Sequence, residues 1–270
     1  MTIEVGNFTI FELPPYFFFA GIGFAVAVSC YVILLLVSNT NISKKNLLLC
    51  LIAGIGVMVG ARVFGCLTNI AIKIYNHQKI TLSVIYNAGL VFYGGLIGGV
   101  SAYLIGLRLF YKNQNNLSLI NSFAVALPLF HFFGRLGCLF AGCCYGKEFH
   151  GHFHINYIRN GVLTENFPVQ ALESTLELGI FCFLLIMFVT SLKNTDQSKN
   201  NKNLLIYYFL VYSIGRFILE FFRGDTSRGF FGILSFSQII SIGLFLFSIV
   251  FSIKDNITVI SKKGVKNESY

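Results

Sequence analysis

Residues 16–37, YFFFAGIGFAVAVSCYVILLLV, contain no charged side chain. An α-helix needs about 20 mainly apolar residues to cross the hydrocarbon core of a bilayer, so this stretch is long enough to span a membrane. Glu4 and Glu12 precede it, whereas no Lys or Arg does, so the basic region of a cleaved signal peptide is missing. We therefore interpret residues 16–37 as a retained first transmembrane helix.

The rest of the chain repeats this pattern. Of its 270 residues 55% are apolar and only 11% are charged, whereas soluble domains carry about a quarter charged residues. Because an open backbone cannot be satisfied in lipid, the apolar blocks must be helical. The sequence predicts an all-α polytopic membrane protein that forms a single integral membrane domain over residues 1–270. About seven transmembrane helices are expected, at about 16–37, 48–71, 89–110, 117–137, 170–192, 203–222 and 233–253.

The net charge of +9 orients the chain and does not indicate a nucleic-acid binder. Most lysines lie between apolar blocks, and no basic stripe with interleaved aromatic residues is present. One set of predicted loops holds eleven Lys and Arg residues, Lys199 among them, and the other set holds six, including Arg228. By the positive-inside rule the N-terminus lies outside and the C-terminus is cytoplasmic. Residues 138–169 then form a short external loop.

Three arginines, Arg62, Arg135 and Arg216, lie within or at the edge of predicted spans. An arginine in mid-membrane costs about 2.5–3.5 kcal/mol and cannot lose its charge, so it normally pairs inside the bundle. Structural ion pairs or snorkelling arginines would explain these residues. A planar guanidinium also suits a phosphate diester, which indicates an anionic lipid headgroup as ligand. The other polar groups in or near spans are Glu173, Glu177, Glu220 and Gln170.

Two glycine-rich stretches accompany the arginines. Residues 93–99 read YGGLIGG, and residues 134–137 read GRLG. Glycines at this spacing are typical of close helix packing. They also let a backbone approach a ligand closely, and the sequence leaves both interpretations open.

Four sequence blocks resemble the prolipoprotein diacylglyceryl transferase family. They are FYGGLIG at 92–98, GRLG at 134–137 running on to Gly142 and Gly146, PVQ at 168–170 with Glu173-Ser174, and Tyr212-x-x-x-Arg216 with EFFR at 220–223. Each block is weak alone, but their order, spacing and seven predicted spans match over roughly residues 16–250.

The resemblance implies an enzyme of the bacterial cytoplasmic (inner) membrane. Such an enzyme transfers the diacylglyceryl group of phosphatidylglycerol to the lipobox cysteine of a secreted precursor protein, forming a thioether and releasing glycerol phosphate. Its partners are therefore phosphatidylglycerol and lipobox-containing precursors, and no cofactor is expected. Two alternatives are a phospholipid-dependent transferase of the same fold with another acceptor and a membrane transporter whose arginines bind an anion or a lipid. No inverted repeat, which many transporters show, is visible.

The resemblance and the intramembrane charges together predict the site residues. The predicted catalytic residues are Arg135, Arg216, Tyr93 and Glu173. The predicted substrate-binding residues are Tyr16, Arg62, Gly94, Gly95, Gly98, Gly134, Gly137, Gln170, Tyr212, Glu220 and Arg223.

The chain departs from the family pattern at three points. Tyr93 stands where many members have a histidine that is a candidate base for the attacking thiol. Cys138 and Cys143 stand where the family has Asn and Glu. The external loop is shorter than in better-known members, which bears on the acceptor more than on the lipid.

Cysteines and histidines near the fourth span could serve a second chemistry. Cys138, Cys143 and Cys144 fit no standard zinc-finger spacing, and we expect no metal site, although a zinc site or a redox dithiol could use them. His150, His152 and His154 follow in a polar stretch. His131 lies one turn before Arg135 and is either a core histidine or a substitute base.

Overall fold

The computed structural model describes residues 2–5, 8–12, 15–75, 77–79, 89–112, 116–159, 162–193, 202–224, 230–231 and 233–267. Lys199 and Arg228, which enter the charge count, lie outside the described residues. The chain forms two compact units. Unit 1 comprises Met1–Ser38, Leu117–Ser227 and Ser237–Tyr270, and unit 2 comprises Asn39–Asn116 and Arg228–Phe236. The expectation of a single membrane domain stays a prediction.

Helices dominate the described part of the chain. They are α1 (Pro15–Val37), α2 (Lys44–Tyr75), α3 (Phe92–Phe110), α4 (Leu117–Phe140), α5 (Val169–Lys193), α6 (Leu204–Glu220) and α7 (Phe236–Asn267). Within the described ranges, six helices are long and apolar enough to cross a membrane. The seventh, α6, has 17 residues, close to the lower limit of about 17 for a span. The predicted all-α polytopic membrane fold is confirmed.

Short antiparallel strand pairs connect or precede the helices. Strands β1 (Thr2–Val5) and β2 (Phe8–Glu12) pair before α1, and β5 (Phe230–Phe231) pairs with β6 (Leu234–Ser235) before α7. Between α4 and α5, β3 (Ile155–Arg159) pairs with β4 (Val162–Asn166) in register. The stretch predicted only as a loop therefore contains a β-hairpin.

Several helix boundaries differ from the predicted ones. Helix α2 extends the predicted span at both ends, and α3 begins three residues later than predicted. Helix α4 contains Pro128 and continues through Gly137 to Phe140, so Cys138 lies in the helix and not in the loop. The helix ends where Gly142 adopts a φ of 68°, a left-handed conformation that glycine adopts without a steric penalty.

Helix α4 is central to unit 1, since it packs against α1, α5 and α6. Two glycines permit the close approach to α1. A Cβ at Gly23 would lie 2.7 Å from the Cβ of Phe133, and one at Gly137 would lie 2.8 Å from the Cα of Tyr16. Gly137 therefore has a packing role, whatever its part in substrate binding.

In unit 2, α2 and α3 are in backbone contact through glycines on both helices. A Cβ at Gly60 would lie 2.3 Å from the carbonyl oxygen of Gly94, and one at Gly98 would lie 2.3 Å from that of Gly56. A Cβ at Gly95 would lie 3.3 Å from the Cγ1 atom of Val57. These contacts match the small-residue helix packing seen in membranes. A direct role of Gly94, Gly95 and Gly98 in binding a ligand stays a prediction.

We expect Gly98→Ala to destabilise the protein by about 1–3 kcal/mol, because overpacking forces the two helices apart. The matched control is Gly179→Ala in α5, where an added Cβ meets nothing within 4 Å. Alanine favours a helix by about 1 kcal/mol over glycine, so the control should be neutral or slightly stabilising. Thermal unfolding in detergent measures both, and an unchanged Tm for Gly98→Ala would contradict the backbone contact.

Candidate functional site

Six ionisable side chains are buried together on three helices of unit 1, and we call them the buried ionic cluster. They are His131 and Arg135 on α4, Glu173 and Glu177 on α5, and Arg216 and Glu220 on α6, each at most 4% exposed. Each helix contributes two residues four positions apart, which places both on the same helical face.

Glu173 links the two arginines. Its Oε2 lies 2.9 Å from Arg135 Nε, and its Oε1 accepts a hydrogen bond of 2.5 Å from Arg216 Nη1. Charge-assisted contacts of this kind are roughly twice as strong as neutral hydrogen bonds. One carboxylate from α5 therefore fixes a guanidinium from α4 and another from α6.

Arg216 has further partners on its other side. Its Nη2 forms an ion pair of 2.7 Å with Glu220 and lies 3.5 Å from the Ser237 hydroxyl at the start of α7. Its Nε is buried without a hydrogen-bond partner among the described residues. A buried N–H group without a hydrogen bond carries a desolvation penalty. Arg216 can therefore donate one more hydrogen bond through Nε.

His131 positions Arg135 from within α4. Arg135 Nε donates to His131 Nε2 at 3.2 Å, and Nδ1 of the same ring lies 2.5 Å from Glu177 Oε1. Because Nε2 accepts, a neutral ring carries its proton on Nδ1, the nitrogen nearer to Glu177. The lone pair that a base would use is thus engaged by Arg135, which favours the structural interpretation of His131.

Aromatic rings close one side of the cluster. The Tyr212 ring meets His131 edge to face at 5.3 Å and stacks on Tyr208 at 5.6 Å. Both tyrosines are almost fully buried. The rings exclude water from the cluster and therefore strengthen its ion pairs, because attraction between charges grows in a low dielectric.

Gln170 connects α5 to the chain that follows α4. Its Nε2 donates to the Cys143 carbonyl at 2.8 Å and to the Tyr157 hydroxyl at 3.0 Å. These bonds are to the loop between α4 and α5 and not to an arginine. Gln170 therefore orients the loop beside the cluster.

The end of α6 is tied to the same loop. Gly224 N donates to the Tyr145 carbonyl and Lys147 N to the Phe222 carbonyl, each at 2.9 Å. The buried Arg223 pairs through its backbone with Gly146. Arg223 thus lies beside the residues that follow the three cysteines.

The sulfur atoms of Cys138, Cys143 and Cys144 all lie within 4.8 Å of one another. Hydrogen bonds with the Cys138 and Cys143 thiols lower the pKa of Cys144 well below its usual range, and the Arg135 and Arg223 charges add to the effect. The pKa of Cys143 is raised, first by its hydrogen bond with Cys138. We call these residues the three-thiol cluster. The sequence pointed to them but did not show that their sulfur atoms meet.

The remaining predicted residues of unit 1 lie near α4. Tyr16 begins the α1 face that contacts Gly137. The residue is 36% exposed, and its ring adjoins that of Phe17. A Cβ added at Gly134 would meet nothing within 4 Å, so this glycine is not required by packing.

The other predicted site residues belong to unit 2. Tyr93 is buried near the start of α3, followed by Gly94, Gly95 and Gly98, and Arg62 is exposed on α2. Their roles in substrate binding or catalysis stay predictions.

Comparison with known proteins identifies the family. Residues 6–254 match the family model described as prolipoprotein diacylglyceryl transferase. The chain belongs to the prolipoprotein diacylglyceryl transferase family. This confirms the resemblance seen in the sequence blocks, which now map onto α3, α4, α5 and α6.

Curated relatives in this family carry the name phosphatidylglycerol–prolipoprotein diacylglyceryl transferase. The one from Campylobacter hominis is 30% identical over 87% of this chain and 85% of its own length. The one from Rickettsia bellii is 32% identical over 83% of each chain. Transferase 2 of Clostridium perfringens is 36% identical over 61% of this chain, and the match spans 63% of that relative, less than two thirds.

Two partners within the site, Ser237 and Tyr157, had no clear signal in the sequence, and the pairing of a third, Glu177, had none. Ser237 is one serine in an apolar span, Tyr157 is one aromatic residue in a hairpin, and Glu177 shows its link to His131 only when α4 and α5 pack together. The i, i+4 spacing of the charged pairs could have indicated which helix faces meet.

A second, exposed pair lies in the loop between α4 and α5. His150 Nδ1 is 2.8 Å from Glu165 Oε2, and this hydrogen bond raises the pKa of His150 and lowers that of Glu165. A raised histidine pKa stabilises the fold at low pH and loses its effect as pH rises through the folded value. A lowered carboxylate pKa loses its effect as pH falls through the folded value. The contact therefore stabilises the loop only at pH values between the folded-state pKa of Glu165 and that of His150.

We expect Glu165→Gln to lower the pKa of His150 toward the ordinary value of about 6.5, since its main partner loses its charge. Histidine NMR titration of the protein in detergent measures the shift. His152→Gln is the control and should leave the His150 titration in place. A His150 pKa that does not change in Glu165→Gln would show that the contact does not form in solution.

Proposed function

We propose that this chain transfers the diacylglyceryl group of phosphatidylglycerol to the lipobox cysteine of secreted prolipoproteins. The observation that carries the proposal is the pair of buried guanidinium groups, Arg135 and Arg216, held by the single carboxylate of Glu173 in a membrane protein of this family. The relatives' names specify both substrates for those proteins.

The reaction moves one carbon from oxygen to sulfur. The acceptor sulfur attacks the glycerol carbon that carries the phosphate, a C–S bond forms, and the C–O bond breaks. Its electron pair leaves with glycerol phosphate, and the thiol proton passes to water. Negative charge grows on the departing phosphate, where preset donors lower the barrier most. Arg216 Nε, buried without a partner among the described residues, is one donor suited to this role.

In this proposal Glu173 positions the two arginines and does not itself contact the substrate. Its two oxygens hold the arginines of α4 and α6 at fixed points, so little reorganisation is needed when a phosphate binds. Glu220 does the same for the far side of Arg216. A cluster that served stability alone could be replaced by apolar side chains at little or no cost.

Four further predicted residues of unit 1 are assigned to the lipid headgroup and the loop beside it. Tyr212 shields the cluster from water, Gln170 orients the loop, and Arg223 adds a third buried cation. Gly134, which packing does not require, leaves space at the helix surface next to Arg135. These assignments follow from the family blocks and from the contacts in unit 1.

We also propose that the protein lies in the bacterial cytoplasmic membrane with the loop between α4 and α5 outside. The support is the excess of Lys and Arg in the other loops. In a cysteine-free variant, Phe153→Cys should react with an impermeant maleimide in intact cells, since Phe153 is 82% exposed. Lys44→Cys should react only after permeabilisation, and the reverse pattern would invert the orientation.

The activity is tested by incubating the purified protein with phosphatidylglycerol and a lipobox peptide. Mass spectrometry should detect a thioether-linked diacylglyceryl group and released glycerol phosphate. We expect Arg216→Lys to lose at least about a hundredfold in turnover, because an ammonium cannot replace a planar guanidinium that binds Glu173, Glu220 and a phosphate together. Loss of one transition-state donor costs about a hundred- to a thousandfold.

Arg108→Lys is the matched control, since Arg108 lies in the last turn of α3, outside the cluster. It should keep normal turnover, and both variants should show similar yield and Tm. Near-normal turnover in Arg216→Lys would show that a planar guanidinium at this position is not needed to bind the phosphate. Phospholipid binding without transfer to any thiol peptide would indicate an anion-binding membrane protein instead.

A further inference from the structure

The three-thiol cluster is built by the turn that ends α4. Cys138 lies in the last turn of α4, and Cys143 N returns to donate to the Cys138 carbonyl at 3.2 Å. Gly142 and Cys144 both have positive φ, 68° and 59°. A non-glycine residue in this conformation carries strain on the order of 1 kcal/mol. Such strain persists where the surroundings impose it, and here it brings adjacent cysteines toward one centre.

The geometry suits a thiophilic metal ion. Zinc bound by thiolates has Zn–S distances of about 2.3 Å, which in a tetrahedron sets sulfur atoms about 3.8 Å apart. The three sulfur atoms lie within 4.8 Å of one another, so movements of about 1 Å or less would close the site. An all-thiolate donor set selects zinc or a similarly soft ion over magnesium or calcium.

Three protein ligands leave one coordination position open. Structural zinc sites usually have four protein ligands, whereas catalytic sites have three and keep the fourth for water or substrate. Among the described residues, Cys138, Cys143 and Cys144 are the group that could hold such an ion.

We propose that the three-thiol cluster binds one zinc ion, and that the lipobox cysteine occupies its fourth position as a thiolate. This inference rests on the proposed function and specifies how the acceptor is activated. On binding, the acceptor thiol releases its proton to water, as coordinating thiols do. Its sulfur keeps the electron pair that forms the C–S bond, and the pair of the broken C–O bond leaves with glycerol phosphate.

The neighbouring charges fit an anionic zinc centre. Zinc with three thiolates has a net charge of −1, and a fourth thiolate makes it −2. Arg135 lies three residues before Cys138 on α4, and Arg223 is joined through the backbone to Gly146 just beyond Cys144. The two cations therefore offset the charge that the acceptor brings.

The arrangement also places the nucleophile near the leaving group. Arg135, which the proposed function assigns to the lipid phosphate, is on the same helical face as Cys138. A metal-held thiolate needs no side-chain base. This agrees with Tyr93 in place of the family's histidine and with the engagement of His131 Nε2 by Arg135.

Cobalt(II) tests the site directly, because it replaces zinc and reports thiolate ligands by colour. The full-length protein in detergent is stripped of metal, kept reduced and titrated with cobalt. We expect one cobalt per chain, with sulfur-to-cobalt charge-transfer bands and the visible bands of a tetrahedral ion. Cys143→Ser should weaken or lose these bands. Cys182→Ser is the control, since Cys182 is exposed on α5, and should keep them.

Adding a lipobox peptide tests the open position. The cysteine peptide should shift the cobalt bands, and the same peptide with serine in its place should not. In the transfer assay, stripping zinc from the wild-type protein should slow turnover roughly tenfold or more at pH 7, because a free thiol with pKa near 8.5 is only about 3% ionised there. The loss should shrink as pH rises toward 9, and added zinc should restore the rate.

The following outcomes would contradict either this inference or the proposed function. No cobalt binding by the reduced protein, or a disulfide among the three cysteines in the protein as isolated, would overturn the metal site. Cobalt bands that do not shift when the cysteine peptide is added would show that the lipobox cysteine does not occupy the fourth coordination position. Undiminished transfer by metal-free protein would overturn the inference while the proposed function stands. Peptide-sensitive cobalt bands without any lipid transfer would support the site and reject the proposed function.

Discussion

Arg135 and Arg216 cannot lose their charges, and both are buried in a bundle that has to sit in lipid. Uncompensated, each would destabilise the fold by several kcal/mol. Glu173 forms ion pairs with both arginines. Because both pairs have to form inside the bundle, they determine which faces of α4, α5 and α6 pack together. The i, i+4 pairs on each helix then complete a network that excludes water. A network of this kind contributes little net stability, so stability alone does not explain its presence.

The buried ionic cluster and the three-thiol cluster adjoin near the end of α4. Arg135 belongs to the buried ionic cluster, and Cys138, one turn later, belongs to the three-thiol cluster. The loop after α4 is held in place by Gln170 from α5 and by the backbone beside Arg223 from α6. The same helices that fix the guanidinium groups therefore also fix the thiols. If the two clusters have the functions proposed for them, this shared scaffold gives a physical reason why cysteines at two family Asn and Glu positions could change how the acceptor is activated without altering the proposed lipid site.

The two glycine-rich stretches have different consequences. In unit 2, the glycines of α3 meet Gly56 and Gly60 of α2 so closely that a methyl group on either side would collide with backbone. In unit 1, Gly137 is equally constrained, whereas Gly134 is free of such contact. Identical residues in similar motifs thus serve packing in one place and leave open space in another, and the sequence alone could not separate these roles.

The sequence by itself determined the membrane fold, the approximate spans and the family, because apolar length, charge deficit and ordered motifs are local properties of the chain. It also singled out Arg135, Arg216 and Glu173, since charge in an apolar helix is visible without coordinates. Which carboxylate meets which arginine, the link between His131 and Glu177, and the meeting of three sulfur atoms after a left-handed turn depended on the tertiary structure. Those contacts join residues that lie on different helices or across a reversal of the backbone, and only packing decides which helix faces and turn conformations bring them together.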